Sequence, residues 1–343
     1  SGYLTSDTMW DALATMDRAP ARVAVLGTGS TASQLVPEVA KTAAKVYSVQ
    51  RSPTWVLPKP DRAYTVREKW MFAHLPLAKR IYRTRLWLRS ESNISVIENG
   101  SDKTQQFRDI ALRTLDATIA DEQLRRGLTP QHPLGCKRLV FANNYLQTLN
   151  QPHVEVVPSA ARALRSRTLV TEDDTELEVD AVLCATGYAA ADYLGQIDVV
   201  GAEGSALSDV WRDGAFAYLG MAVPGFPNFF MLYGPNTNVG SGSIIYMLEC
   251  QQRYLVKLIQ AAELRQWAAV DVRPEAQAAF SAEMQQRSAE TTFTGSCQSW
   301  YKTAEGRNTN NWVGLMREYR RRTEAPDLHA FRPVRVAETQ SAP

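Results

Sequence analysis

RVAVLGTGSTASQLVPEVAKTAAKVYSVQRS, residues 22–52, decides the fold. RVAVL (22–26) is a short apolar run of strand type, GTGS turns it, and TASQLVPEVAKTAAK has helical spacing. VYSVQ (46–50) is a second β-branched run. Strand, helix and strand in that order predict a βαβ unit with parallel strands, the start of an α/β fold. Gly27-Thr28-Gly29-Ser30-Thr31-Ala32 fits the pattern GxGxxA between the first strand and the helix. Gly27 permits the tight turn, Gly29 lets the backbone approach a pyrophosphate, and Ala32 lets the helix pack near the strand. The helix start then offers free N–H groups and a positive dipole end to phosphates. In this context the pattern predicts a dinucleotide site held by Gly27, Thr28, Gly29, Ser30 and Thr31.

The end of the second strand selects the dinucleotide. An acid there holds the ribose hydroxyls of NAD, but this strand ends in Arg51-Ser52. A guanidinium and a hydroxyl suit a 2′-phosphate, so NADP(H) is the expected cofactor.

Outward from that unit, RSPTWVLPKP (51–60) carries three prolines and reads as a closing loop. Between about Ala63 and Leu128 the strand alternation disappears, and the segment reads as a helical insertion. Within it KRIYRTRLWLRSE interleaves cations with Trp, Leu and Tyr. A basic amphipathic helix of this kind can touch a membrane surface, but the favoured expectation is an apolar seat overlaid by snorkelling arginines. After Pro130 the α/β texture returns. HVEVV (153–157) reads as a strand, TLVTEDDTELEVD (168–180) as a hairpin turning at Asp173-Asp174, and AVLCATG (181–187) as a buried strand. FPNFFMLYG (226–234) reads as a strand leading to a Gly/Asn-rich turn. IIYMLECQQRYLVKLIQAAE (244–263) reads as a long helix with Ser243 near its N-cap.

Composition bounds the function. The 343 residues suffice for two domains, and 45% hydrophobic against 22% charged residues is the balance of a globular chain with a sizeable core. A net charge of +2 gives no basic excess, so no nucleic-acid partner is expected. Cys136, Cys184, Cys250 and Cys297 form no CxxC pair and are expected as buried free thiols, and the four histidines do not cluster with them to suggest a metal. The N-terminus has no signal-peptide pattern and no apolar run reaches a bilayer's thickness, so the expected location is cytoplasmic with no membrane span.

Several of these stretches, taken together, resemble a known family. Arg51-Ser52-Pro53-Thr54-Trp55, Ala185-Thr186-Gly187-Tyr188 and Leu232-Tyr233-Gly234-Pro235-Asn236-Thr237-Asn238 resemble class B flavin monooxygenases, and among them Baeyer–Villiger monooxygenases of the 4-hydroxyacetophenone and cyclic-ketone type. The likeness runs from Gly2 to about Tyr319. It implies that NADPH reduces FAD, that oxygen adds as a flavin C4a-peroxide, and that a ketone becomes an ester or lactone. Pro133-Leu134-Gly135-Cys136-Lys137-Arg138 matches the stretch with the catalytic arginine, so the resemblance makes Arg138 the catalytic cation and Lys137 a second ligand of the 2′-phosphate. A fixed guanidinium suits that role because it stabilises developing negative charge without a labile proton. Thr186, Gly187, Asn236 and Asn238 are implied neighbours of the cofactors, and Thr294–Tyr301 with Asn311-Trp312 a substrate-side region.

The chain departs from the family in two places. In the fingerprint FxGxxxHxxxW, Gly2 and Trp10 keep their spacing but the histidine falls on Ser6. Only the second of the family's two dinucleotide turns is present, so an FAD-binding half in the same or a separate chain is an expected partner, beside a ketone and O2. The expected organisation is a degenerate fingerprint linker (1–20), an NADP-binding βαβ unit (21–62), a helical insertion (63–129), the remainder of the NADP domain (130–180), and the C-terminal part of an FAD-binding domain with a substrate-side segment (181–343). The alternatives are an N- or S-oxygenating flavin-containing monooxygenase, and an NADP-binding half or subunit inactive without its partner.

Overall fold

A computed structural model describes residues 21–189, 192–195, 197–294 and 299–334. The fingerprint positions Gly2, Ser6 and Trp10 lie outside the described residues. The chain divides into two compact units. The first holds residues up to Arg62, Gln105–Leu134 and Arg138–Tyr188. The second holds Ala63–Thr104, Gly135–Lys137 and the chain from Ala189 onward. The helical insertion is therefore shared between them.

In the first unit, β1 (Arg22–Leu26), α1 (Ser30–Val39) and β2 (Lys45–Val49) form the βαβ unit that the sequence pattern predicts. β1 pairs in parallel with β2 and, on its other side, with β9 (Ala181–Cys184), while β5 (Val154–Val157) extends the sheet beyond β2. The four-stranded order is β5-β2-β1-β9, all parallel. Alternation along β1 decides which side chain meets which layer. Val23 and Val25 turn to the side packed with Ala32, Leu35 and Val36 of α1, with Leu115 of α4 (Asp102–Thr118) and with Ile119 just after it. Ala24 turns to the opposite side, where Leu169 and Leu177 pack. Those two belong to an antiparallel three-stranded sheet of β6 (Ala161–Arg165), β7 (Thr168–Thr171) and β8 (Glu176–Glu178). The expected hairpin is the β7–β8 pair, with Asp174 at φ 62° in its turn. A short parallel pair, β3 (Val56–Leu57) with β4 (Val140–Phe141), ties the proline-rich loop to the segment after Arg138.

The second unit is built round α8 (Ile244–Leu264), the expected long helix. Ser243 caps it by accepting from the Tyr246 amide at 3.2 Å. Met247, Cys250, Tyr254 and Leu258 recur at helical spacing and pack with Trp312, Phe293, Met316 and Tyr319. Met316 and Tyr319 belong to α10 (Met316–Arg322). An antiparallel pair, β11 (Ala269–Val272) with β13 (Phe331–Val334), and a parallel pair, β10 (Asn238–Val239) with β12 (Asn311–Trp312), complete this core. Among the described residues no helix is long and apolar enough to cross a membrane.

Three expectations are corrected. FPNFFMLYG (226–234) is not a strand. Asn228 and Tyr233 take positive φ (57° and 60°), which breaks an extended run, and only an isolated bridge from Phe230 to Ala222 remains. The basic helices of the insertion have a smaller apolar seat than expected: Trp87 is partly buried against the core of the second unit. α2 (Val66–His74) buries no residue, and α3 (Pro76–Ser92) buries only Glu91, which leaves Leu77, Ile81 and Leu88 in solvent. Finally, the cysteines are not uniformly buried free thiols. Cys250 is free and buried and Cys184 is free but exposed, whereas Cys136 is disulfide-bonded; Cys297 lies outside the described residues.

Candidate functional site

The carboxyl ends of the parallel strands carry the predicted dinucleotide residues. Gly27 follows β1 directly, with φ 119°, and its amide donates to the Val49 carbonyl at 3.0 Å. A Cβ at Gly27 would lie 2.4 Å from the Ala185 carbonyl oxygen, so the turn requires glycine on both conformational and steric grounds. Gly29 sits at the N-cap of α1, exposed, and a Cβ there would meet nothing within 4 Å. That open space above a helix start is the room a pyrophosphate needs. No side chain caps α1 and no acid stands in its first turn. Its first amides thus have no intrahelical partner, and no local carboxylate opposes an anion. Ser30 and Thr31 open this turn, with Thr31 exposed, and Ala32 is wholly buried against the sheet.

Arg51 and Ser52 follow β2 at the same edge of the sheet. The Thr28 hydroxyl donates to the Ser52 carbonyl at 3.1 Å, which couples the turn to the end of β2. Arg51 is exposed and makes no ion pair among the described residues. At the end of β9, Thr186 and Gly187 are exposed, Gly187 has φ 100°, and the Ala185 amide donates to the Leu26 carbonyl at 2.9 Å. One edge of one sheet therefore gathers the glycine turn, Arg51-Ser52 and Thr186-Gly187, as ligand-binding α/β sheets arrange their sites.

Arg138 belongs to the same unit, two residues before β4, and is exposed without an ion pair among the described residues. The strand that β4 pairs with, β3, follows Trp55, whose indole N–H donates to the His132 carbonyl at 2.9 Å. These contacts anchor the chain on both sides of 133–138. Lys137 falls in the second unit, with Gly135 and the buried Cys136. Gly135 has φ 88°, and a Cβ there would come within 2.5 Å of the Thr292 hydroxyl.

Asn236 and Asn238 also lie in the second unit, and both are engaged inside it. Asn236 is 3% exposed with φ 58°, and its amide nitrogen donates to the carbonyls of Asn308 (2.9 Å) and Asn311 (3.3 Å). Asn238 donates to Asn311 Oδ1 at 2.6 Å and accepts from the Tyr233 hydroxyl at 2.9 Å. The buried cluster Asn308, Asn310 and Asn311 holds this turn in place. Of the three, sequence reasoning singled out Asn311 alone, although three asparagines in four positions of RNTNNW were a visible signal. Beside it Arg287 and Arg322 lie over the Trp312 ring at 5.6 and 5.4 Å. The same two guanidinia pair with Glu283 and Glu318. Hydrogen bonding from Arg322 holds the Glu283 carboxyl below the usual carboxylate range. Burial pushes Glu318 up, but Arg287 and Arg322 outweigh it and hold that carboxyl low as well. The segment 295–298 lies outside the described residues.

A parallel sheet with a glycine turn, a helix start without a side-chain cap and an arginine unpaired among the described residues at the next strand end is the Rossmann-type arrangement in which dinucleotides bind. Comparison with known proteins makes the class more specific. No family profile matches the chain. A Baeyer–Villiger monooxygenase of Streptomyces coelicolor is 37% identical over 326 residues, covering 94% of this chain and 63% of the relative. One of Pseudomonas aeruginosa is 34% identical, covering 90% of this chain and 59% of the relative. Among solved structures, a closed cyclohexanone monooxygenase (TM-score 0.78, 22% identity) and an oxidised steroid monooxygenase bound to NADP (0.76, 24%) each cover 93% of this chain and 68% of their own, and they share its fold. The chain is a homologue of Baeyer–Villiger monooxygenases along nearly its whole length, and spans about six-tenths of the length of these two relatives.

Proposed function

We propose that this chain supplies the NADPH seat and part of the flavin seat of a cytoplasmic monooxygenase that converts a ketone to an ester or lactone with FAD, NADPH and O2. The observation that carries the cofactor choice is the unpaired Arg51 beside the uncapped Gly27–Gly29 turn. The names of the relatives carry the reaction.

The amides at the start of α1 hold the pyrophosphate, with Gly29 giving the approach and the Ser30 and Thr31 hydroxyls close by. Arg51 and Ser52 take the 2′-phosphate; a planar guanidinium offers two parallel donors to its oxygens. Thr186 and Gly187 border the cofactors at the end of β9. In the second unit Asn236 and Asn238 fix their own turn, and the Asn236 amide is already committed to backbone carbonyls. Bound FAD, reduced by NADPH, supplies oxygen activation. Arg138 holds negative charge at the reacting centre and keeps it charged without giving up a proton. Arg138 makes no ion pair among the described residues, so it has no carboxylate there to leave before it engages an anion. The reading also requires the first dinucleotide turn, for FAD, to be present with this chain, on the same polypeptide or as a separate half.

The test combines the chain and its FAD-binding half with FAD, NADPH and a ketone. Ester formation coupled to NADPH oxidation supports the reading. Sulfide or amine oxygenation with no ester would reassign it to heteroatom oxygenation.

A further inference from the structure

In the second unit, one face of α3 gathers cations that no carboxylate pairs with among the described residues. Lys79, Arg80 and Arg83 line a cavity of about 540 Å³ together with Arg320 of α10, and the rings of Trp87 and Tyr246 form its aromatic wall. The two rings stand 6.2 Å apart. Positions 80, 83 and 87 fall on one side of a helix, so the local sequence alone brings these side chains to one opening. No carboxylate lines the cavity, and none of the four cations makes an ion pair among the described residues. The nearest acid on α3, Glu91, is already used. It accepts from the Met316 amide at 2.7 Å and faces Arg317 at 3.8 Å. Arg320 is held charged chiefly by the Tyr246 hydroxyl, with Glu324 contributing only at longer range. Beside the cavity the Trp87 indole N–H is buried without an acceptor among the described residues. A buried donor of this kind is costly unless something supplies an acceptor. The volume is that of a small-molecule site.

The flank of the same helix completes the picture. Leu77, Ile81 and Leu88 form a stripe next to the cationic face and remain 68%, 52% and 54% exposed. A cationic cavity bordered by an uncovered apolar stripe matches the two ends of one amphipathic molecule.

We propose that this cavity binds the headgroup of an amphipathic anion, a phosphate or carboxylate joined to an apolar tail, with the tail lying along Leu77, Ile81 and Leu88. Guanidinia at Arg80, Arg83 and Arg320 take the anionic oxygens, and the aromatic wall contacts the start of the tail. Neither NADPH nor FAD is needed, so the site stands or falls apart from the oxygenase reading.

The test is calorimetric titration of the chain with dodecyl phosphate below its micelle concentration, with inorganic phosphate and dodecyl maltoside in parallel. One-to-one binding of dodecyl phosphate is expected, weakened at least tenfold in the double variant Arg80→Gln/Arg83→Gln. Those two side chains are exposed and unpaired, so that variant keeps its fold by circular dichroism and its NADP+ affinity. Inorganic phosphate and the maltoside should each bind at least tenfold more weakly than dodecyl phosphate. Equal affinity of the variant, or equal binding of the maltoside, overturns the cationic assignment. Equal affinity for inorganic phosphate overturns the role of the apolar stripe. Sedimentation with phosphatidylglycerol vesicles then separates two sources of the same chemistry. Pelleting lost in the double variant places the headgroup in a bilayer, and no pelleting despite tight dodecyl phosphate binding makes the ligand a free amphiphile.

Discussion

Replacing Arg51 by alanine should turn the chain from NADP toward indifference between NADP and NAD. Arg51 is exposed, makes no ion pair among the described residues, and neighbours Ser52, whose carbonyl accepts from the Thr28 hydroxyl at 3.1 Å. Its loss should leave the turn, the helix start and the strand pairing unchanged. What disappears is a charge-assisted contact to the 2′-phosphate. Such a contact is worth about 1.5–3 kcal/mol where it is well made, and solvent exposure reduces this to about 1 kcal/mol. The NADP+ dissociation constant should therefore rise by about fivefold. The NAD+ constant should stay within about twofold, because NAD+ has no phosphate at that position. The preference should also shrink as salt rises, since an exposed ion pair is screened over about 8–10 Å. Titration calorimetry with both dinucleotides at two ionic strengths measures all three quantities. Equal weakening of both dinucleotides would refute the assignment, because it would make Arg51 a structural or general anion contact. An unchanged NADP+ constant would place the 2′-phosphate elsewhere.

Other outcomes follow from the same geometry. Gly27→Ala must adopt φ near 119° with its Cβ 2.4 Å from a backbone oxygen, which should cost about 3 kcal/mol or more and show in chemical denaturation as a lower midpoint. Arg138→Ala, in the complete enzyme, should abolish oxygenation while NADP+ binding persists; retained ester formation would remove Arg138 from the mechanism. Glu318→Gln should cost about 1 kcal/mol near neutral pH, after discounting for partial exposure, because it breaks contacts to Arg287 and Arg322. The pH dependence has a defined sign. Glu283 and Glu318 are held low in the folded state, so their contribution is complete above the unfolded value of about 4.3 and is lost as pH falls through the folded values. Acid denaturation of Glu318→Gln should accordingly be shallower below about pH 4 than that of the wild type.

The parts of the fold that sequence reveals are those whose period is local. RVAVL, the helix at 30–39, HVEVV and AVLC announce themselves by alternation or spacing and form the expected elements, although AVLC is half-buried with Cys184 exposed rather than the expected buried strand. β6 was missed because ARALR puts arginines in an exposed strand that pairs only with β7. FPNFFMLYG misleads for the opposite reason. Its apolar content is real, yet Phe226 packs in a cluster with Trp211 and Val223 through turns, not through a ladder. The turn from Gly27 to Thr31 and the strand end at Arg51 were legible because a short motif fixes their geometry. Asn236 was not, because its duty depends on carbonyls more than seventy residues away. The bare stripe of Leu77, Ile81 and Leu88 could not be read either, since amphipathic spacing announces an apolar face but not whether anything covers it.

The central claim, a carbonyl oxygenase built on this NADPH seat, is tested most directly with isotopically labelled dioxygen. The chain, with FAD, its FAD-binding half, NADPH and a ketone, should give an ester with one labelled oxygen, inserted between the carbonyl carbon and the migrated carbon. NADPH consumption that yields hydrogen peroxide or an oxidised sulfide, with no labelled ester from any ketone, would contradict it.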